Sequence, residues 1–154
     1  MARPGLPYPL GVPSDTFRHT ATSSFDVADV WTQLQDPEKW KAMGGIDEIH
    51  DPRIEDDLLK GFAFTSRIAG TPYRGRATTT EIVHEERMVV DIDTSELRAV
   101  LTVDLAPIDA STQLDVAMEL SSKSFLASMM WGLVASTVGS GLPERTAQMI
   151  AAFE

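Results

Sequence analysis

An uncharged stretch near the C-terminal end sets strong limits on the fold of this chain. Residues 124–143, SFLASMMWGLVASTVGSGLP, contain no acidic or basic side chain. A helix that is apolar almost all round is either enclosed by protein or spans a membrane. Gly139 to Pro143 interrupt this one before it reaches the roughly 20 residues that a bilayer requires. We therefore predict a long helical segment over Ser122–Phe153, broken at Gly139–Pro143 and enclosed by the rest of the protein. The apolar residues that recur at helical spacing are Phe125, Leu126, Met129, Met130, Leu133, Val134 and Val138.

Upstream of this stretch, polar and apolar side chains alternate with a period of two, which is typical of half-buried strands. The short connections between the alternating segments have turn composition, as an antiparallel meander requires. One apolar face per strand indicates a sheet that covers something on one side only. The predicted strands are Thr16–Ser24, Ile46–Ile54, Leu59–Ile68, Tyr73–His84, Met88–Asp93, Leu97–Ala106 and Thr112–Ser121.

Two short helices are predicted between the first and second strands. Asp26 is a suitable N-cap for the segment DVADVWTQL, whose apolar residues have helical spacing. Asp36 and Pro37 then begin a second helix, which Gly44 and Gly45 end. The predicted order is one strand, two short helices, six antiparallel strands and the C-terminal helix, which is an α+β fold.

Composition limits the partners and the compartment. A chain of 154 residues is long enough for one domain, which we place at residues 16–154, after a Pro- and Gly-rich arm at residues 1–15. The net charge of −10 argues against nucleic acid and anionic membranes as partners. There is no cysteine, which excludes a disulfide framework and does not fix the compartment. The first residues do not resemble a secretion signal, so we expect a cytoplasmic protein without a transmembrane segment.

The helix pair after the first strand resembles a recurrent pattern of the START/Bet v 1-like superfamily, also called the SRPBCC or polyketide cyclase/lipid-transport group. The segment is FDVADVWTQLQDPEKW. The positions that match are Val30, Trp31, Leu34, Asp36, Pro37 and Trp40. The stretch LQDPEKWKAMGGIDEI is also similar to the subgroup associated with carbon monoxide dehydrogenase accessory proteins. The resemblance covers Thr16 to Phe153.

This resemblance implies the helix-grip fold, in which a bent seven-stranded antiparallel sheet surrounds a long C-terminal helix and leaves a cavity between them. Members of the superfamily bind lipids, sterols, polyketides or plant hormones, and some cyclise or dehydrate polyketides. Three functions follow as expectations. The chain is a binding or carrier protein for a small hydrophobic or amphipathic ligand, a cyclase or dehydratase, or an accessory or assembly factor that uses the fold for protein contacts.

The side chains expected to face the cavity come from the strands and from the C-terminal helix. Methionine adapts to irregular shapes, which suits a pocket that accepts varied ligands. The alternative is that the same side chains close on one another as a solid core. The candidate cavity residues are Trp40, Phe62, Phe64, Tyr73, Leu101, Val103, Val116, Met118, Met129, Met130 and Leu133.

The polar candidates depend on which side of the strand Tyr73–His84 faces the cavity, and the alternation leaves both orientations open. If Tyr73 and Glu81 face inward, they are candidate catalytic groups, because burial can raise the pKa of a carboxyl. If Arg74 and its neighbours face inward, a guanidinium can hold a ligand carboxylate or ketone oxygen. The alternative places the arginines outside, in pairs with carboxylates. His19, on the first strand, is a third candidate catalytic group.

No spacing of residues in the sequence indicates a metal site or a cofactor. The three histidines lie on separate predicted strands, and the acidic run at residues 47–57 lacks the ligand spacing of a calcium loop. We therefore expect neither metal nor cofactor, a small hydrophobic ligand as the partner, and a monomer or homodimer.

Overall fold

A computed structural model describes residues 13–44, 46–68 and 70–154 of the chain. Across this part of the chain, seven antiparallel strands form one sheet in the order β1-β7-β6-β5-β4-β3-β2. From β2 to β7, consecutive strands pair with each other, and β1 pairs with β7, so β1 and β2 lie at the two edges of the sheet. The strands are β1 (Ser14–Ser23), β2 (Ile46–Glu55), β3 (Leu58–Ile68), β4 (Thr71–Val83), β5 (Arg87–Thr94), β6 (Leu97–Ile108) and β7 (Ser111–Ser122).

Helices lie between β1 and β2 and after β7. The first group is α1 (Val27–Leu34), a 3-10 turn (Pro37–Trp40) and α2 (Lys41–Gly44). The second group is α3 (Phe125–Met129), α4 (Trp131–Gly139) and α5 (Leu142–Ala151). This order confirms the predicted α+β class, with two short helices after the first strand and helix at the C-terminal end. The strand ends differ by up to two residues from the prediction, and β1 begins at Ser14 rather than Thr16. Residues 1–12 of the predicted arm lie outside the described residues.

The caps at the first two helices are those that the sequence predicts. The Oδ1 atom of Asp26 accepts a hydrogen bond from the backbone N–H of Asp29 at 2.9 Å. The Oδ1 atom of Asp36 accepts from the backbone N–H of Glu38 at 3.0 Å. Each carboxylate thus satisfies a backbone donor that has no partner inside its helix.

One face of the sheet forms the core, and we call it the inner face. On β6 and β7, alternate apolar residues point to this face, and the register pairs Leu101 with Met118 and Val103 with Val116. All four side chains are buried. The alternation in the sequence therefore gives the correct orientation of these two strands.

The register of β4 settles the orientation that the sequence leaves open. Gly75 pairs with Phe64 and Ala77 pairs with Phe62, and both phenylalanine side chains are buried. Because paired residues point to the same side of a sheet, Tyr73 and its alternate neighbours face inward. The arginines at positions 74 and 76 are exposed on the outer face.

A β-bulge between Thr79 and Glu81 reverses this alternation near the end of β4. Beyond the bulge, Ile82 packs against the core. Glu81 lies exposed on the outer face, where one carboxylate oxygen is 3.8 Å from Nη1 of Arg87. The prediction that Glu81 faces the cavity together with Tyr73 is therefore wrong, because the two residues stand on opposite sides of the bulge.

The C-terminal helix is divided into three segments. Ser124 begins α3, because its hydroxyl oxygen accepts from the backbone N–H of Ala127 at 3.0 Å. Met130, at φ −103° and ψ 21°, separates α3 from α4. The second interruption, between Gly139 and Leu142, lies inside the predicted break.

The prediction that the protein encloses the whole helix is wrong for α3 and the start of α4. The exposed fraction is 81% for Phe125, 68% for Met129 and 54% for Leu133. Ala127 is the buried residue of α3. A helix that packs on one side only cannot bury apolar residues from its whole circumference, so the large side chains of α3 face outward.

Candidate ligand cavity

A cavity of about 50 Å³ lies between the inner face and helices α4 and α5, and we call it the inner cavity. Strands β3, β5, β6 and β7 form most of its wall, and the two helices complete it. Its apolar lining consists of Phe64, Ile92, Leu97, Ala99, Leu120 and Val138. Its polar lining consists of Ser66, Thr94 and Arg145.

The three polar residues of the inner cavity differ in how their hydrogen-bonding capacity is used. The Thr94 hydroxyl donates to the carbonyl oxygen of Leu97 at 3.0 Å and accepts from the N–H of Leu97 at 2.9 Å. Its capacity is spent on the turn between β5 and β6. Ser66 is buried, yet its hydroxyl forms no side-chain hydrogen bond within residues 13–44, 46–68 and 70–154. A ligand in the cavity can therefore use Ser66 but not Thr94.

Arg145 brings a positive charge to the inner cavity. It is half-buried, and burial lowers the pKa of its guanidinium, an effect that the nearby charge of Glu144 partly opposes. The group stays protonated at neutral pH, because the ordinary pKa of arginine is very high. Among the described residues, no carboxylate pairs with this guanidinium and no oxygen accepts a hydrogen bond from it.

A second space of about 180 Å³, the outer pocket, lies between the inner face and helices α3 and α4. Leu97 lines both spaces, so they adjoin at that side chain. The helices contribute Leu126, Ala127, Met130, Leu133 and Val134, and the strand side contributes Thr71, Tyr73 and Glu96. The exposed apolar residues Leu126, Met130 and Leu133 thus lie at the mouth of the pocket.

Glu96 is held at the edge of the outer pocket by the start of α3. Its carboxylate accepts a short hydrogen bond from the hydroxyl of Ser124, the residue that caps α3. Its backbone carbonyl accepts from the N–H of Lys123 at 2.8 Å. Tyr73 lines the same pocket and is half-buried. The outer pocket therefore combines an apolar wall with one carboxylate and one phenol.

Four of the predicted cavity residues line one of these two spaces. Phe64 lines the inner cavity, and Tyr73, Met130 and Leu133 line the outer pocket. Met129 is exposed instead of inward-facing. The other predicted residues are buried core side chains that line neither space, which is the solid-core alternative. These are Trp40, Phe62, Leu101, Val103, Val116 and Met118.

His19 also lines neither space. It is half-buried on β1, opposite Val116 of β7. Trp40 has a structural role, because its indole N–H donates to the carbonyl oxygen of Leu34 at 2.9 Å beneath α1. Neither residue stands beside the polar groups of the cavity.

Reasoning from the sequence missed Ser66, Glu96 and Arg145 as site residues. Ser66 and Leu97 lie on predicted strands, at even spacing from Phe64 and Leu101, respectively. This spacing places them on the same face as those predicted cavity residues, and it is the feature of the sequence that could have identified them. Arg145 is the first basic residue after the uncharged stretch, and it reaches the cavity from α5. Only the packing of α5 against the sheet brings it there.

A wider and more open groove of about 730 Å³ lies elsewhere, between the α1 region and the turn from β2 to β3. Its lining includes Asp36, Asp56, Asp57 and His84, and the His84 ring packs edge-on against Trp31 at 5.7 Å between centroids.

Within the described residues, no three histidine, aspartate or glutamate side chains are arranged to hold a metal ion. Among the helices of the described residues, none is both long and apolar enough to cross a bilayer.

Known proteins resemble the chain in structure rather than in sequence. No protein-family model matches the sequence, and no curated protein matches it. Zhui aromatase/cyclase from a Streptomyces species superposes with a TM-score of 0.68 at 11% identity, covering 89% of this chain and 94% of its own. Ara h 8.0201 gives 0.64 at 13% identity, with 92% and 95% covered.

Norcoclaurine synthase from Thalictrum flavum, in complex with dopamine and hydroxybenzaldehyde, gives a TM-score of 0.62 at 13% identity, with 92% of this chain and 87% of the synthase covered. These likenesses extend over nearly the whole chain. The chain therefore has a Bet v 1-like helix-grip fold.

Proposed function

We propose that this protein binds a small hydrophobic or amphipathic ligand, lipid-like or polyketide-like, between the sheet and the C-terminal helices. The observation that carries the proposal is that two largely apolar spaces lie between the sheet and these helices and share Leu97 in their walls. A ligand there meets apolar walls along most of its length and a few polar groups at defined points. This combination is typical of small-molecule sites.

The size of the two spaces limits the ligand. The inner cavity has room for on the order of three water molecules, since each needs roughly 10–15 Å³ of cavity volume. The outer pocket is more than three times larger, so the bulk of the ligand belongs there. A larger ligand requires α3 to move. This short helix buries only Ala127 among its five residues, so moving it breaks few apolar contacts.

A second candidate function is that of a cyclase or dehydratase, favoured by the position of Tyr73 and Glu96 on the same pocket. Acid–base catalysis needs two polar groups that reach one substrate. Under this hypothesis, Tyr73→Phe and Glu96→Gln abolish turnover of a polyketide substrate and leave its binding within about threefold. If both variants lose binding and turnover together, the two residues hold the ligand and perform no chemistry.

Native mass spectrometry of the full chain as purified tests the binding proposal. The wild-type protein is compared with a variant in which a larger side chain fills the inner cavity. Ala99 is buried and lines the inner cavity, so Ala99→Leu fills it. Ala63→Leu is the matched control, because Ala63 pairs with the exposed Arg76 on the outer face of β3. Thermal melting checks that both variants fold.

We expect a discrete adduct on the wild-type protein and on Ala63→Leu that leaves when the protein unfolds. Ala99→Leu should lose most of this adduct. An adduct that Ala99→Leu retains in full would place the ligand outside the cavity. No adduct on any of the proteins, together with no binding of an added octanoate or octanol probe, would contradict the proposed function.

A further inference from the structure

We propose that the ligand is an organic monoanion, with its carboxylate held by Arg145 in the inner cavity and its apolar body in the outer pocket. This inference rests on the proposed function, because it assigns a chemical class to the ligand of that cavity.

Two exposed arginines form two-point pairs with carboxylates, whereas the half-buried Arg145 forms none. Arg87 forms two hydrogen bonds with the carboxylate of Asp104, at 2.6 and 3.2 Å. Arg98 binds Asp91 in the same two-point way, at 3.1 and 2.8 Å. Arg145 has no such partner in the described part of the chain, although the sequence contains 23 acidic residues.

The lack of a counterion at the half-buried Arg145 runs against what solvation favours. A charge that loses water usually gains a counterion, while a charge on the surface needs none. Arg145 lines the cavity and has no carboxylate partner in the described residues, so a ligand anion can supply the missing counterion. Carboxylates match the planar guanidinium with two parallel hydrogen bonds.

The surroundings of Arg145 add to its preference for an anion. The guanidinium folds back toward the start of α5, where Nε is 3.4 Å from the position that a Cβ on Gly141 would occupy. Gly141 is the N-cap of this ten-residue helix and provides no side-chain hydrogen bond to its first turn. The positive end of the helix dipole and the guanidinium thus lie close together.

Ser66 supplies a further hydrogen-bonding group across the cavity. Its hydroxyl lines the same space from β3 and has no other side-chain partner in the described residues. The remaining wall is apolar, from Phe64, Ile92 and Val138 among others. One positive charge in about 50 Å³ suits one carboxylate and leaves no compensation for a second negative charge.

The orientation of the ligand follows from the two spaces. The carboxylate end occupies the smaller inner cavity beside Arg145, and the apolar end passes Leu97. It then lies between Leu126, Met130 and Leu133, whose exposed surfaces it covers in part. Glu96 lines the outer pocket, and its carboxylate disfavours the reversed orientation with the ligand carboxylate in that pocket.

Matched pairs of acid and alcohol test the proposal by isothermal titration calorimetry on the full chain. The pairs are octanoate with octanol, and phenylacetate with phenylethanol, at neutral pH. The variants are Arg145→Gln, which removes the charge, and Arg145→Lys, which keeps it. Arg74→Gln is the control, since it removes one exposed positive charge from the outer face of β4 and leaves the cavity intact.

We expect the wild-type protein to bind the better-fitting acid about tenfold or more tightly than its alcohol, because hydrogen bonds to charged groups are worth more than neutral ones. Arg145→Gln should remove this preference and leave alcohol binding within about threefold, while Arg145→Lys keeps part of it. Arg74→Gln should behave as the wild type. The preference should also decline when the pH falls below the pKa of the free acid.

Two results would overturn the inference, and they differ from each other. Equal binding of acid and alcohol, or a preference that survives Arg145→Gln, refutes the anion site and leaves the binding function standing. If neither member of any pair binds, the proposed function fails and the inference fails with it. Thermal melting of Arg145→Gln and retained alcohol binding show that a lost preference is not a loss of fold.

Discussion

Gly139 lies where helix α4 packs directly against Phe17 of strand β1. A Cβ added at Gly139 would be 2.5 Å from Cδ1 of Phe17 and closer still to two other atoms of the ring. Carbon atoms in contact prefer separations of about 3.5–4.0 Å, so the ring or the helix must move. Gly139→Ala is therefore a test of whether α4 lies as close to the sheet as the structure shows.

Two opposing effects determine the result of this substitution. Overpacking of a well-fitted contact costs about 1–3 kcal/mol. The better helix propensity of alanine returns about 0.5–1 kcal/mol. The expected net loss is about 1–2 kcal/mol, which lowers the Tm by about 2–8 °C for a chain of this length.

Gly132→Ala is the matched control, because Gly132 is in the same helix and has no atom within 4 Å of its added Cβ. It should raise the free energy of unfolding by about 0.5–1 kcal/mol. Thermal and urea unfolding, followed by circular dichroism, measure both variants. If Gly139→Ala stabilises the protein as much as Gly132→Ala does, α4 does not pack on Phe17 and the walls of the cavity are misplaced.

Two further substitutions test the cavity wall and the core. Gly75→Ala places a Cβ 2.9 Å from Cε1 of Phe64 and 2.9 Å from the carbonyl oxygen of Asp93, so we expect Phe64 to be displaced toward the inner cavity and octanoate binding to weaken several-fold in calorimetry. Unchanged binding would argue that Phe64 is not part of the site. Thr112→Val removes a buried hydroxyl that donates to the carbonyl oxygen of Phe25 at 2.9 Å, so it should cost about 1–3 kcal/mol in urea unfolding, and a loss below about 0.5 kcal/mol would show that water satisfies this carbonyl.

Most of the fold is predictable because the sequence changes its period where the structure changes its element. On β6 and β7 the apolar side chains recur every second residue, and every one from Leu97 to Leu105 at that spacing is buried. The N-caps at Asp26 and Asp36 form hydrogen bonds with backbone N–H groups two or three residues away. Such caps can be predicted from the residue type at the start of a helix. Local patterns of this kind need no knowledge of distant parts of the chain.

The cavity was less predictable because it depends on departures from those patterns. The bulge before Glu81 turns that carboxylate outward, and no residue in this stretch of the sequence marks the position of the bulge. The exposure of Phe125 and Met129 follows from the position of α3 relative to the sheet rather than from its own composition. Arg145 reaches the cavity only because the chain bends between α4 and α5.

A bound ligand should occupy the inner cavity and the outer pocket, between the sheet and helices α3, α4 and α5. Methyl NMR during a titration with octanoate tests this directly, because cavity and core methyl groups are observed in the same sample. We expect the largest shift changes at methyl groups that line the two spaces, such as those of Ile92, Leu97 and Val134, with Val103 and Leu114, which are fully buried elsewhere in the core, nearly unchanged. Shift changes spread evenly over cavity and core, or confined to exposed methyl groups outside both spaces, would contradict it.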